Sequence, residues 1–116
     1  MNSLADFIDT SHYDVVFNCL GLGNISFSGD KKLAPIRGQM IRVNAPWIKH
    51  FYYTDDNCYI IPNVSTVCLG GTRQVGNSSL DLDSSDSKGI LERCEKMCPS
   101  LKVRLTQLHD EIIVWL

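Results

Sequence analysis

Four segments of this chain carry residues able to bind a small ligand, three of them with glycines alongside. Asn18-Cys19-Leu20-Gly21-Leu22-Gly23 closes a β-branched run with glycines. Glycines after a strand let backbone approach a phosphate or a ring closely. The third glycine of a dinucleotide fingerprint is absent there and no amphipathic helix follows, so a strand-end turn is the plainer reading. Arg37-Gly38-Gln39 places a glycine between two polar side chains at the start of a strand. Taken alone, an arginine there is more often a surface charge than a ligand-binding group. Tyr59 heads Ile60-Ile61-Pro62, and a strand tyrosine is usually half-buried with its hydroxyl satisfied. Leu69-Gly70-Gly71-Thr72-Arg73-Gln74 leaves room for a close approach. Arg73 could then grip a carboxylate with both prongs of its guanidinium.

No catalytic side chain emerges from spacing. His12, His50 and His109 are scattered, and no Ser/His/Asp or Cys/His set can be assembled around them. The five cysteines, Cys19, Cys58, Cys68, Cys94 and Cys98, fall mostly in apolar patterns. They read as buried, reduced thiols of an intracellular protein. Cys94 and Cys98 lack the second pair or nearby histidine that zinc requires, so no metal site is assigned.

Positioning these groups calls for a sheet. Tyr13–Cys19 reads as a buried strand entering a glycine turn, and Asn24–Leu33 as a polar loop. Ile36–Val43, Lys49–Thr54, Cys58–Pro62 and Thr66–Gly71 follow as strands. Asp55-Asp56-Asn57 and Asn63-Val64-Ser65 supply turns. Ser84–Met97 switches to helical spacing, with Ile90, Leu91, Cys94, Met97 and Leu101 on one face. Ser84 or Ser85 can cap it, and Pro99 stops it. Met1–Ser11 could hold one helical turn, Val103 onward is ambiguous, and Ile112–Leu116 reads as a last strand. The expected class is α+β: a mainly antiparallel sheet with one amphipathic helix.

The whole-chain properties exclude more than they assign. At 116 residues with 11 basic and 13 acidic side chains, the chain has the size of one domain and no basic stripe for nucleic acid. Its apolar runs are too short to span a bilayer, and its start lacks the pattern of a secretory signal. The apolar ending Ile112-Ile113-Val114-Trp115-Leu116 has no polar cap, which reads as a chain cut within a fold.

In order along the chain, these blocks resemble the flavin-dependent D-amino-acid oxidases. Tyr13–Gly21 is similar to the family's DVVxNC strand beside the cofactor. Ala34–Gln39 is similar to its P-x-RGQ segment, Ala45–Phe51 to its APW-x-x-HF segment, and Tyr59–Pro62 with Leu69–Gly71 to its YIIP and LGG pair. Gly70-Gly71-Thr72-Arg73-Gln74 looks most like the D-aspartate oxidase branch. The resemblance implies FAD as cofactor, with Cys19, Leu20 and Gly21 beside it. It implies Tyr59 on the substrate α-carboxylate and Arg73 on an acidic side chain. The implied reaction is oxidative deamination of a D-amino acid, with O2 as oxidant, to a 2-oxo acid, ammonia and H2O2.

The same resemblance divides the chain into 1–33, the residue of a flavin domain ending in one of its strands, and 34–116, a truncated substrate domain. Leu20 stands where the family has Thr or Ser. Tyr53 stands where mammalian-type members of the D-aspartate branch carry a second arginine. Neither the N-terminal GxGxxG unit nor the GLRP-x-R block is present. The expectation is therefore an inactive fragment of a peroxisomal enzyme, or of a cytoplasmic one, since no targeting tripeptide is present. A rival from within the family takes neutral D-amino acids, and a rival outside catalysis is a module pairing its sheet edge with a full-length subunit. Expected partners are a small D-amino acid and O2, with neither nucleic acid nor membrane, and with an oligomer open.

Overall fold

A computed structural model describes residues 13–28, 30–104 and 111–115, the side chains of 103, 104 and 111 excepted. The chain divides into two compact units, one running to Pro35 and one starting at Ile36. The helical turn expected in Met1–Ser11 lies outside the described residues.

In the first unit, the expected buried strand is corrected. Tyr13–Leu20 is exposed throughout, with Phe17 84% accessible, and joins no ladder. A β-branched run becomes a strand only where a neighbour takes up its backbone hydrogen bonds. Among the described residues no strand does so. The expected loop after it begins with a 3-10 turn, Gly21–Gly23, and a short helix α1 (Asn24–Ser28). Gly21 has φ +53, a left-handed conformation that glycine adopts without a Cβ penalty.

Among the described residues the second unit is an α+β assembly on a six-stranded antiparallel sheet. β1 (Ile36–Val43) is its centre, pairing with β4 (Val67–Gly70), β5 (Gln74–Val75) and β6 (Glu111–Trp115). β3 (Tyr59–Pro62) joins β4 to β2 (Tyr52–Tyr53). The hairpin between β3 and β4 closes as expected, Asn63 N–H donating to the Thr66 carbonyl at 2.7 Å. The strand expected over Lys49–Thr54 shrinks to two residues. Gln74–Val75, which the sequence reading leaves unassigned, pairs with β1.

Alternation along β1 separates two faces. Ile41 and Val43 point into the core with Ile60, Val67 and Leu69, each at most 3% exposed. α2 (Ser84–Met97) covers this face with Ile90 and Cys94, and Leu101 of α3 (Ser100–Arg104) joins them. Leu91 and Met97 pack at the margin, so the expected apolar stripe faces the sheet. Each fully buried Ile or Leu contributes roughly 1.5–3 kcal/mol relative to exposure. Cys58, Cys68 and Cys94 are buried free thiols, whereas Cys19 is exposed. Burial, with the Cys58 thiol 3.7 Å away, pushes Cys94 up to about 12, which leaves it protonated and inert.

The helix cap differs from expectation. Asp83, not Ser84 or Ser85, accepts the amides of Ser85 and Asp86 at 2.7 and 3.1 Å. Gln39 fixes the choice: its amide donates to the Asp83 carbonyl and its oxygen accepts the Asp83 N–H, at 2.7 and 3.0 Å. The hydroxyl of Ser85, then the two amides, hold the Asp83 carboxyl below its ordinary value. A carboxylate depressed in the folded state stabilises above its unfolded pKa and loses that contribution as pH falls through the folded one. The helix should therefore weaken below about pH 4. In Asp83→Asn, which caps without titrating, the circular-dichroism unfolding midpoint should depend less on pH between about 2 and 5. An unchanged acid dependence would remove Asp83 from the account.

Candidate functional site

Partners directly across an antiparallel pair point to the same face. The register Met40 to Gly70, Gly70 to Tyr59, Tyr59 to Tyr53 and Gly38 to Trp115 therefore collects these residues on the face opposite α2. Here the sheet carries a cleft of about 250 Å³, lined by Tyr53, Asn57, Tyr59, Gly71, Thr72, Arg73 and Trp115, with Ile36, Arg37 and Gly38 behind them. Tyr59 and Arg73, expected to act together, share this cleft. The volume suits a small metabolite rather than a drug-sized ligand.

Glycines make the cleft possible by letting rings lie on backbone. A methyl group added at Gly70 would coincide with the Tyr59 ring, and one at Gly71 would lie 3.1 Å from its hydroxyl. The pair Gly70-Gly71 is thus the floor on which Tyr59 rests. Gly38 does the same for the Trp115 ring. Trp115 escaped the sequence reading. The signal was a glycine in the middle of β1, which marks a close approach by another group.

Arg73 reaches the cleft through a bulge. From Met40 to Arg37 β1 advances three residues, while its partner advances four, from Gly70 to Gln74. The extra residue shifts the alternation, so Gln74 faces Arg37 on the helix side and Arg73 lines the cleft. Bulges re-aim side chains in this manner. Gln39 N–H donates to the Thr72 hydroxyl at 2.9 Å and Thr72 N–H to the Gln39 carbonyl at 3.2 Å, which pins the bulge to β1.

Charge and protonation suit an anion. Among the described residues no Asp or Glu belongs to the cleft lining, and Arg73 is exposed. Burial, reinforced by Cys68 and Cys94, raises the Tyr59 phenol above its ordinary value. It stays protonated and can donate a hydrogen bond to a carboxylate. Arg37 is corrected from the surface charge expected of it: it is 1% exposed, and its guanidinium bonds Asp86 at 2.8 Å.

The three residues expected beside the cofactor do not form a dinucleotide cradle. Cys19, Leu20 and Gly21 are exposed. The amides of Leu20, Gly23 and Asn24 already donate to Asn18 Oδ1, the Leu20 carbonyl, and the Gly21 and Leu22 carbonyls. Few N–H groups of the turn are left to meet a diphosphate. Methyl groups added at Gly21 or Gly23 would meet nothing within 4 Å. The turn at Cys19, Leu20 and Gly21 therefore does not by itself form a diphosphate site. Among the described residues, no group of three or more metal-ligating side chains occurs, and no helix is long and apolar enough to cross a membrane. His50 is exposed, while His12 and His109 lie outside the described residues.

Comparison with known proteins adds the context. The family described as FAD dependent oxidoreductase matches residues 5–112. The chain is 47% identical over 90 residues to the D-aspartate oxidase of Homo sapiens, covering 77% of this chain and 26% of that protein. It is 40% identical over 92 residues to the D-amino acid oxidase of Dugesia ryukyuensis, covering 78% and 27%. It is 37% identical over 91 residues to D-aspartate oxidase 1 of Caenorhabditis elegans, again covering 78% and 27%. The chain thus spans about a quarter of the length of these curated relatives.

Proposed function

This chain belongs to the FAD-dependent oxidoreductases of the D-amino-acid oxidase type, and we propose that it is the substrate wall of an enzyme that oxidatively deaminates D-amino acids, acidic ones by preference. One observation carries the reading: a protonated phenol, Tyr59, and a guanidinium, Arg73, border the same small cleft, whose lining among the described residues has no carboxylate. Tyr59 donates to the substrate α-carboxylate, and Arg73 takes the side-chain carboxylate of a substrate such as D-aspartate. A carboxylate entering a partly dry cleft without a cation would lose several kcal/mol of hydration uncompensated.

Oxidation at the substrate Cα is flavin chemistry, with O2 as the final acceptor, and the described residues of the cleft are given no proton or electron to carry in it. The flavin is held by polypeptide beyond the residues described here. What Tyr59 and Arg73 supply is orientation, and fixed geometry alone contributes substantially to such reactions. The exposure of Arg73 favours a second reading, in which neutral D-amino acids are the substrates and Arg73 is a rim charge.

An Arg73→Leu exchange separates the two. In the oxidase that contains this chain, kcat/KM for D-aspartate should fall about ten- to a hundredfold, the loss of one charged hydrogen-bonding partner. For D-alanine it should stay within about threefold. Oxygen consumption measures both. Equal losses for the two substrates would retire the acidic preference.

A further inference from the structure

We propose that Arg93, on α2 and outside the cleft, is the positioning residue that sets where the Gly71–Arg73 bulge lies. Its Nη2 donates to the Gly71 carbonyl at 2.9 Å. The inference rests on the substrate role given to Arg73 above and extends it to a residue on the opposite side of the sheet.

Consecutive glycines give the backbone at Gly70-Gly71 wide conformational freedom. The location of the segment is therefore decided by what bonds to it. Gly70 is held by its strand pairing, and among the described residues three anchors hold Gly71 and Thr72. Gly71 N–H donates to the Asn57 carbonyl at 2.6 Å, and Thr72 is tied to Gln39 of β1. Both are backbone-centred and hold the segment within the sheet. Arg93 is the anchor from α2, and a charged donor makes the stronger bond.

Arg93 also remains in place at a cost. Its Nε is buried with no acceptor among the described residues. An arginine free to choose would turn that donor towards water, since an unmet buried donor is unfavourable. Gly71 also lies beneath the Tyr59 hydroxyl. Movement at its carbonyl therefore reaches both proposed carboxylate contacts, and reaches Arg73 most directly through the intervening Thr72.

The test combines hydrogen exchange with ligand titration of the chain, its Arg93→Met variant and its Arg93→Lys variant. In Arg93→Met the Gly71 and Thr72 amides should lose protection while those of Ile41 and Leu69 keep theirs, which reports an intact core. By NMR titration, affinity for D-aspartate should fall about tenfold more than affinity for D-alanine, a displaced group costing on the order of ten- to a hundredfold. Arg93→Lys, which can still donate to Gly71, should restore part of the preference. A merely structural role would weaken both ligands alike. Unchanged protection at Gly71 and Thr72, or an unchanged ratio of the two affinities, overturns the proposal. If protection is lost as expected but the wild-type chain binds neither amino acid, the substrate reading fails while the anchor at Gly71 stands.

Discussion

Arg37→Met should destabilise the second unit by about 3–5 kcal/mol, the range for removing one partner of a buried ion pair. All five N–H groups of the Arg37 guanidinium are engaged. Nε donates to the Ser79 carbonyl at 3.0 Å, Nη1 to Gln74 and Asp86 at 2.9 and 2.8 Å, and Nη2 to Gln39 and the Asp81 carbonyl at 2.6 and 2.7 Å. One side chain thus ties β1 to β5, to the loop after it and to the first turn of α2. Methionine fills the volume but leaves the Asp86 charge only the neutral Gln74 amide as partner, and strands two backbone carbonyls. Lysine should recover little, because a single ammonium cannot face acceptors arrayed around a plane. Urea unfolding followed by tryptophan fluorescence reads the change. In Arg37→Met combined with Asp86→Leu the stranded charge is gone, so the double loss should be smaller than the sum of the single ones. A wild-type midpoint in Arg37→Met would show that the network contributes nothing net.

That network marks where the sequence stops being readable. The strands β1, β3 and β4, short runs rich in apolar residues and bounded by turn residues, and the helix with its stripe from Ile90 to Leu101, follow from local pattern because each covers one core. Arg37 is different. Four of its five acceptors lie 37 to 49 residues further along, and no local rule distinguishes an arginine with such distant acceptors from one in water. Tyr13–Cys19 failed in the opposite direction: its composition suits a strand, but composition cannot supply the neighbour a ladder needs. The site shows the same division. Tyr59 and Arg73 stood out by type and by resemblance, and both border the cleft. The bulge that turns Arg73 outward is a one-residue mismatch between two strands, visible only once their register is known. Asn57, with φ 59 at the turn before Tyr59, and Trp115 on Gly38 join the cleft through tertiary contacts. The glycines were the legible trace of these contacts, since each marks a spot where another group presses on the backbone.

Gly70→Ala should weaken binding of every D-amino acid in the cleft while leaving the core largely intact. Gly70 is paired with both Met40 and Tyr59, and its Cβ position is filled by the Tyr59 ring. The methyl and the ring cannot coexist, so one must move, and the methyl is fixed by a strand held on both sides. The ring is not: it can swing towards solvent about its own torsions, at the cost of its contacts with the sheet. Overpacking of this kind costs about 1–3 kcal/mol, and here most of it should appear as lost position of the phenol. Affinity for D-amino acids should then fall about ten- to a hundredfold, with a much smaller shift in the unfolding midpoint. Tyr59→Ala supplies the control. Added to Gly70→Ala it removes the clash, so the double variant should be more stable than Gly70→Ala alone while still failing to bind. A Gly70→Ala chain that binds as well as wild type would mean that the phenol over Gly70 has no part in holding the ligand.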